Sequence, residues 1–246
     1  MDRDFYLQHL AADGGRMAEI GRTADLTLRV PTCPEWDLQQ LLEHTGMVHR
    51  WQTLVVRDDL KSEPWPLPPE LSLQPGEDVA DWFQRGVDDA VDAMRTADAG
   101  DARWTWFPPD QTAGWYFRRI TQETLVHRVD AELAVGDVTP MDPRLSVDGI
   151  DEFVDVFIPA AEMEGQQIGG TGQTLHLHAT DAEGEWLLTM HETRVDVQRG
   201  HAKGDAAVRG PAGELLLFAW GRDPSPQLEV FGDAAVVTAY TTAARL

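Results

Sequence analysis

The sequence predicts an α plus α+β protein, in which a four-helix bundle precedes a smaller α+β domain. Residues 1–144 contain four stretches with apolar residues at helical spacing, separated by long connections rich in proline. After about residue 145 the spacing changes to the alternation that is typical of half-buried strands. We therefore expect two domains, residues 1–144 and residues 145–246, each long enough to bury a core.

The first two helices differ in how clearly the sequence marks them. Residues 2–20 predict a helix, but Gly14 and Gly15 are expected to interrupt it. The second helix is predicted to begin after Asp37, because Asp37 and Gln40 have the spacing of a capping pair. Its helical apolar spacing is carried by Leu38, Leu41, Leu42, Val48, Leu54 and Val55.

A proline-dense connection follows the second helix and is predicted to contain no helix, since proline lacks a backbone N–H. Its prolines occupy positions 64, 66, 68, 69 and 75. Helical spacing returns over residues 78–97. A loop with Trp104 and Trp106 then leads to a fourth helix over roughly residues 115–135, which Gly136 is predicted to end.

The second domain is predicted to mix helices and antiparallel strands. We expect a helix over residues 147–164, a glycine-rich turn over residues 165–172 and, further on, a helix over residues 210–220. Residues 228–231 predict a strand and residues 234–245 a closing helix. Between the glycine-rich turn and the helix over residues 210–220, antiparallel strands are predicted from alternating apolar positions. These positions are Leu175, Leu177, Trp186, Leu188, Met190, Val195 and Val197.

Charge and composition exclude several classes of partner. The chain has 20 basic and 42 acidic residues, a formal net charge of -22, which disfavours binding to nucleic acid or to an anionic membrane. No window approaches the run of about 20 apolar residues that a spanning helix needs. The N-terminus lacks the pattern of a signal peptide, and the single cysteine, Cys33, excludes an internal disulfide. We expect a cytoplasmic protein.

The fourth helix carries the pattern that points most directly to chemistry. At 100° per residue, Glu123 and His127 share a face bordered by the small residues Ala131 and Ala134, and Asp130 lies at its edge. Burying Glu123 without a partner is unfavourable, and a divalent metal ion is one partner that removes the penalty. The alternative interpretation is a simple hydrogen bond between a glutamate and a histidine within one helix.

A third metal ligand is expected on the second helix, where the helical period does not decide between two candidate histidines. His44 and His49 flank opposite sides of the same apolar stripe. Elsewhere, Cys33 precedes a helix start and is interpreted as a small buried residue in preference to a reactive thiol. His176 and His178 alternate along a predicted strand and share a face that a metal could use, but the interpretation that we favour is an exposed or half-buried strand face.

Several motifs, taken together, resemble the mycothiol-dependent maleylpyruvate isomerase family. Its N-terminal signature is similar to VPTCPEWD at residues 30–37, LLEHTG at 41–46 and HRW at 49–51. Its second signature resembles Arg119 with the run ETLVHRVDAE at 123–132. The segment VRGPAGELLLFAWGR, which ends at Arg222, resembles its C-terminal domain.

The resemblance implies a DinB-like four-helix bundle followed by a sterol-carrier-like α+β domain. It also implies that His44, Glu123 and His127 bind a metal ion, expected to be zinc, and that Arg222 binds a substrate carboxylate. Asp130 is a candidate acceptor for an imidazole N–H of His127, a role suggested by geometry alone.

The activity that the resemblance implies uses a low-molecular-weight thiol, mycothiol, as cosubstrate with a small electrophile. An isomerase would add the thiolate to a conjugated double bond, allow rotation and then release it. An S-transferase would leave the thiol attached to the product. The alternative function is a non-catalytic protein that binds a small molecule or lipid, with a structural metal or none, and Trp51, Trp104 and Trp106 are candidate walls of the pocket.

Overall fold

The computed structural model describes residues 1–165, 170–222 and 225–244 of the chain. These residues form two compact units, Met1–Thr139 and Pro140–Leu246. The first unit is mostly helical and the second contains a five-stranded sheet. The predicted fold class, a helical part followed by an α+β part, is therefore confirmed.

Four long helices make up most of the first unit: α1 (Arg3–Thr23), α2 (Leu38–Arg57), α3 (Val79–Thr96) and α4 (Ala113–Val135). Both α1 and α2 pack against α3 and against α4. Met17, Leu41 and Phe83 are fully buried members of the hydrophobic cluster that these helices share. Burial of such side chains is the main stabilising contribution to a bundle of this size.

The prediction that glycines interrupt α1 was wrong. The helix runs without a break through Gly14 and Gly15 to Thr23. A Cβ atom placed on Gly14 would lie 2.7 Å from the side chain of Val87, so this glycine lets α1 approach α3 closely. Tertiary packing therefore outweighs the weak helix propensity of glycine, which is about 1 kcal/mol less favourable than alanine.

A two-stranded antiparallel ribbon before α2 was not predicted. It consists of β1 (Arg29–Val30) and β2 (Cys33–Asp37), which are too short to show the strand period. Its last residue, Asp37, caps α2: the Asp37 carboxylate accepts the Gln40 N–H at 2.9 Å, and the Gln40 side chain accepts the Asp37 N–H at 3.0 Å. The capping box fixes where β2 joins α2.

The proline-dense connection departs from its prediction in one place. Pro69–Leu71 forms a single 3-10 turn, with proline at its first position, where the missing N–H costs nothing. At the far end of the unit, Gly136 adopts a left-handed conformation with φ 75° after the last turn of α4. That is the C-terminal glycine that the sequence predicts.

The single helix predicted over residues 147–164 is divided into three parts. These are α5 (Pro143–Glu152), a π-helical turn (Phe153–Phe157) and α6 (Ile158–Met163). The cause is Pro159, which cannot donate the usual backbone hydrogen bond, and the N–H of Ile158 bonds instead to the carbonyl of Phe153. The domain boundary expected between residues 144 and 145 lies inside α5 and stays a prediction.

The second unit is built around a sheet with strand order β5-β4-β3-β6-β7. Neighbouring strands are antiparallel except β3 and β6, which are parallel. Leu175, Leu177 and Trp186 are buried, and α7 and α8 pack against β3 and β6. The elements are β3 (Gln173–Ala179), β4 (Glu185–Met190), β5 (Val195–Arg199), β6 (Ala206–Gly210), α7 (Ala212–Ala219), β7 (Glu229–Gly232) and α8 (Ala234–Ala243).

Strand β6 was missed, because its sequence AAVRG offers one bulky apolar residue and no clear alternation. Two other predictions fall partly outside the described residues: the glycine-rich turn, at residues 166–169, and the end of the closing helix, at Arg245. In the described part of the chain, no helix is long and apolar enough to cross a membrane.

Candidate metal centre

Three side chains from α2 and α4 bring their donor atoms together in the first unit. His44 comes from α2, and Glu123 and His127 come from α4, one helical turn apart. Glu123 Oε1 lies 3.4 Å from His44 Nε2 and 3.3 Å from His127 Nε2. The two imidazole rings stand nearly perpendicular, with centroids 5.3 Å apart. All three donor atoms therefore face a common point.

The donor set fits a divalent metal ion with an open coordination position. Two imidazoles and one carboxylate are a common ligand set for catalytic zinc. With metal–ligand bonds of about 2.0–2.1 Å and tetrahedral angles, two ligand atoms would be roughly 3.3 Å apart. The separations of 3.3 and 3.4 Å between Glu123 and the two histidines match this value.

Glu123 is held as a carboxylate. Its second oxygen, Oε2, accepts a hydrogen bond from the buried guanidinium of Arg119 at 3.1 Å. Burial by itself raises the pKa of Glu123, but the opposing effects of His127, His44 and Arg119 are larger and hold this pKa well below its ordinary value. A charged oxygen is therefore available at neutral pH.

His127 is oriented through its other ring nitrogen. Nδ1 lies 2.9 Å from Oδ2 of Asp130, a fully buried carboxylate. The other Asp130 oxygen accepts a hydrogen bond from Thr32 at 2.6 Å. Because Asp130 accepts the Nδ1 proton, Nε2 is the nitrogen directed at Glu123 and His44. Burial lowers the pKa of His127, but the two carboxylates outweigh it and raise the pKa to about 9, so a metal ion that binds at Nε2 would have to displace a proton from it.

Cys33 lies next to Asp130, the carboxylate that orients His127. Its sulfur is 3.9 Å from Asp130 Oδ2, and Cys33, His127 and Asp130 form a second group of donors within 4.8 Å of one another. The imidazole nitrogen of that group is already bonded to Asp130. Cys33 also packs, partly buried, against the hydrophobic cluster of the bundle, which agrees with its interpretation as a small packing residue.

An aromatic ring covers the two histidines. The Trp36 ring lies 4.6 Å from the His44 ring and 6.2 Å from the His127 ring. Trp36 belongs to β2, the ribbon strand that the sequence did not reveal, and so its position beside the centre was missed as well. The sequence pointed to Trp36 only as one residue of the motif at residues 30–37.

A cavity of about 540 Å³ opens beside His44. One wall comes from α2, and the other comes from the proline-dense connection between α2 and α3. Trp65, on that second wall, is 74% exposed. The lining residues are His44, Met47, Val48, Trp51, Glu63, Pro64, Trp65, Pro66, Leu67 and Ser72.

The room beside the centre does not arise as the sequence predicted. Ala131 and Ala134, the small residues expected to leave space, belong to or pack against the hydrophobic cluster of the bundle. Of the three tryptophans proposed as walls, Trp51 lines the cavity. The Trp104 ring lies 6.0 Å from the Trp51 ring in a tilted arrangement, and Trp106 packs on Trp115 at 5.3 Å.

His49, the rival to His44, lies in the protein core. It is fully buried, and its Nε2 lies 2.8 Å from the hydroxyl of Thr124. Because that hydroxyl already donates to the carbonyl of Ile120, the His49 nitrogen must be the donor. His49 is therefore a neutral core residue with its Nε2 protonated, outside the group formed by His44, Glu123 and His127.

The burial of His49 predicts a pH dependence of stability. Burial lowers the pKa of His49 to about 3, against roughly 6.5 in an unfolded chain. Below pH 6.5, His49 therefore binds a proton in the unfolded chain but not in the folded protein. The free energy of unfolding then falls with falling pH by up to ~1.4 kcal/mol per pH unit. Between pH 7 and pH 5 we expect a loss of roughly 2 kcal/mol from this residue.

Urea unfolding of the native protein and of His49→Gln at both pH values measures this effect. A glutamine amide can still donate to Thr124 but does not titrate. The variant should therefore be less sensitive to pH than the native protein by about that amount. An equal pH dependence in the two proteins would contradict the assignment.

Arg222, the remaining candidate from the sequence, belongs to the second unit. It follows α7, where its backbone N–H bonds to the carbonyl of Leu217 and its guanidinium lies 3.3 Å from the carbonyl of Trp220. Arg119 was named in a sequence motif but was given no role there. In the structure it donates a hydrogen bond to Glu123.

Comparison with protein families gives a match over most of the chain. A model described as the mycothiol maleylpyruvate isomerase N-terminal domain matches residues 7–132. A second model, described as the MDMPI C-terminal domain, matches residues 144–239. No curated protein matches the sequence.

Solved structures share the fold at low sequence identity. A crystal structure of the mycothiol-dependent maleylpyruvate isomerase has a TM-score of 0.59 and 13% identity, and the match covers 94% of this chain and 93% of that one. A histidine-to-alanine mutant of the isomerase gives the same values. A UbiJ-SCP2 ubiquinone synthesis protein is 25% identical over 44% of this chain and 93% of its own, but its TM-score of 0.28 supports no argument.

Proposed function

Since this chain belongs to the mycothiol maleylpyruvate isomerase family, we propose that it is a metal-dependent isomerase that uses a low-molecular-weight thiol of the mycothiol type. The observation that carries the proposal is the convergence of His44, Glu123 and His127 beside an open cavity. The substrate class is a small electrophile with a conjugated double bond. Transfer of the thiol to such an electrophile is the second reaction that the same site would support.

We propose that His44, Glu123 and His127 hold the metal, with zinc as the expected ion. A zinc ion bound there would supply Lewis acidity that converts a coordinated thiol into a thiolate near neutral pH. The two imidazoles are neutral donors when bound to the ion, so Glu123 is the one anionic ligand and leaves the centre net positive. A net positive centre favours the anionic form of the thiol.

The surrounding residues hold the donors in place. Arg119 binds the outer oxygen of Glu123 and so keeps Oε1 turned toward the histidines. Asp130 fixes the His127 ring and, by accepting its Nδ1 proton, makes Nε2 a stronger donor. Trp36 covers the histidines and limits water on that side.

The cavity beside His44 is proposed to receive the thiol and the electrophile. Its walls are mostly apolar, and Glu63 is the one carboxylate among the lining residues. Arg222 stays in the proposal on the family resemblance alone, as a guanidinium that would bind a substrate carboxylate in two-point fashion.

Trp65 provides a prediction about substrate binding. Its exposed indole lines the cavity and would lose contact with water when substrate binds. Such a contact is worth ~1–2 kcal/mol, so Trp65→Ala should raise KM roughly 5- to 30-fold and change kcat little. Trp65→Phe, which keeps an aromatic face, should stay close to the native protein. An unchanged KM in the alanine variant would place binding elsewhere.

The proposed activity is tested with zinc-loaded protein, maleylpyruvate and mycothiol, with the geometry of the double bond followed by NMR. Turnover with a substoichiometric amount of thiol is expected, since an isomerase returns the thiol after each cycle. Consumption of one thiol per product would instead indicate S-transfer. No conversion by zinc-loaded protein would contradict both reactions for this substrate.

A further inference from the structure

The second unit contains a separate cluster of histidines around one carboxylate. His176 and His178 lie on β3, and because Leu175 and Leu177 point into the core, the two histidines share the opposite face of the sheet. On the neighbouring strand β4, Glu185 pairs directly with His178 and is the diagonal neighbour of His176. The sheet register thus brings a carboxylate to both imidazoles.

A third histidine reaches the same carboxylate from outside the sheet. His201 lies in the connection between β5 and β6, and its Nδ1 is 2.8 Å from Glu185 Oε2. His176 Nε2 is 3.0 Å from that oxygen and His178 Nδ1 is 3.6 Å from it. Donor atoms of His176, Glu185 and His201 all lie within 4.8 Å of one another.

His176 supplies the observation that an ordinary polar cluster does not explain. The residue is 5% exposed, and its Nε2 is shielded from solvent and has no hydrogen-bond partner among the residues that the structure describes. The nitrogen is near Glu185 Oε2 without the alignment of a hydrogen bond. Two ligands of one metal ion also lie close together without the alignment of a hydrogen bond, because both donor atoms are directed at the ion.

Hydrogen bonding alone accounts for part of the cluster. Glu185 accepts from His201 at 2.8 Å, and that pair needs no ion. It leaves the buried nitrogen of His176 without a partner, which is unfavourable in a protein interior.

We propose that His176, Glu185 and His201 form a second metal site, which takes a divalent transition-metal ion such as zinc. Two imidazoles and one carboxylate select such ions over magnesium or calcium, which prefer oxygen ligands. His178 contacts the carboxylate at 3.6 Å but lies outside the group of donors that are within 4.8 Å of one another. The site uses residues of the second unit only, so it is independent of the proposed activity.

The ion would join two parts of the unit that are distant along the chain. His176 lies in the middle of β3, whereas His201 lies in an exposed connection with 80% of its side chain in contact with solvent. Binding of the ion would fix that connection against the sheet. Because only the folded unit brings the three donors together, zinc should raise the melting temperature of the protein.

Calorimetric titration with zinc chloride after removal of bound metal tests the site in the full-length chain. In a His44→Ala/His127→Ala background, one equivalent of zinc should still bind. Binding should weaken roughly 100-fold or more when Glu185→Gln or His201→Ala is added. His201 is exposed, so its replacement should not disturb folding, and circular dichroism checks this.

His191→Ala is the matched control. His191 also pairs with a carboxylate in the second unit, Asp196 at 2.9 Å, but it lies outside the cluster and its replacement should leave zinc binding unchanged. In the otherwise native protein, His201→Ala should lower the stoichiometry from two zinc ions to one. The proposal is overturned if the His44→Ala/His127→Ala protein binds no zinc, or if His201→Ala and His191→Ala behave alike.

Discussion

Replacing His127 with alanine is expected to remove zinc from the centre on α2 and α4 and to lower thiol-dependent isomerase activity by about 1,000-fold or more. His127 provides one of three donor atoms and is also the residue that Asp130 orients. Two remaining ligands hold zinc weakly, and a thiol at the site would then keep its proton at neutral pH. Elemental analysis after gel filtration, together with the NMR assay, measures both losses.

A His201→Ala background isolates this centre from the second site proposed above. In that background one zinc ion per chain is expected, and His127→Ala should leave none. Asp130→Asn keeps the donors but alters the partner of His127 Nδ1, so a decrease in zinc affinity of about 10- to 100-fold is expected. Full zinc content in the His127→Ala protein would show that the ion binds elsewhere.

The second large effect is expected on stability, from Glu132 near the end of α4. This carboxylate is completely buried and accepts hydrogen bonds from Arg128 at 2.7 Å, Arg16 at 3.0 Å and the backbone of Thr139 at 3.0 Å. Glu132→Ala would leave the buried guanidinium of Arg128 without its main counter-charge. The free energy of unfolding should fall by ~3–5 kcal/mol, measured by urea denaturation.

Glu19→Ala is the control for this prediction. Glu19 pairs with the same Arg16 at 3.1 Å, but its side chain is 62% exposed. Solvent screens that pair, so its removal should change the free energy of unfolding by less than about 1 kcal/mol. Similar effects of the two substitutions would mean that the buried network contributes no more than a surface ion pair.

The helices were predictable from sequence because their apolar spacing records which side of each helix is buried. The capping box at Asp37 was also predictable, because its two partners lie within one helical turn of each other in the sequence. The elements that were missed depend on distant contacts or on backbone chemistry. Strand β6 is defined by its pairing with β3 and β7, and the π-helical turn arises from Pro159.

The candidate centre was predictable only in part. Glu123 and His127 are four residues apart on one helix, so their shared face follows from helix geometry. The choice between His44 and His49 did not follow, because both flank the apolar stripe of α2, and which one meets Glu123 depends on how α2 packs against α4. The family resemblance pointed to His44, and the structure puts that residue beside Glu123.

The two walls of the cavity beside His44 are expected to differ in how well they tolerate substitution. The proposed metal donors are carried by α2 and α4, whose interior faces are constrained by packing, whereas the facing wall is a connection with exposed side chains such as Trp65. Substitutions or length changes in that connection can reshape the cavity without disturbing the bundle. With the proposed site, substrate selectivity and metal chemistry would depend on different segments of the chain, and we expect that exchanging residues 63–72 between relatives alters substrate preference.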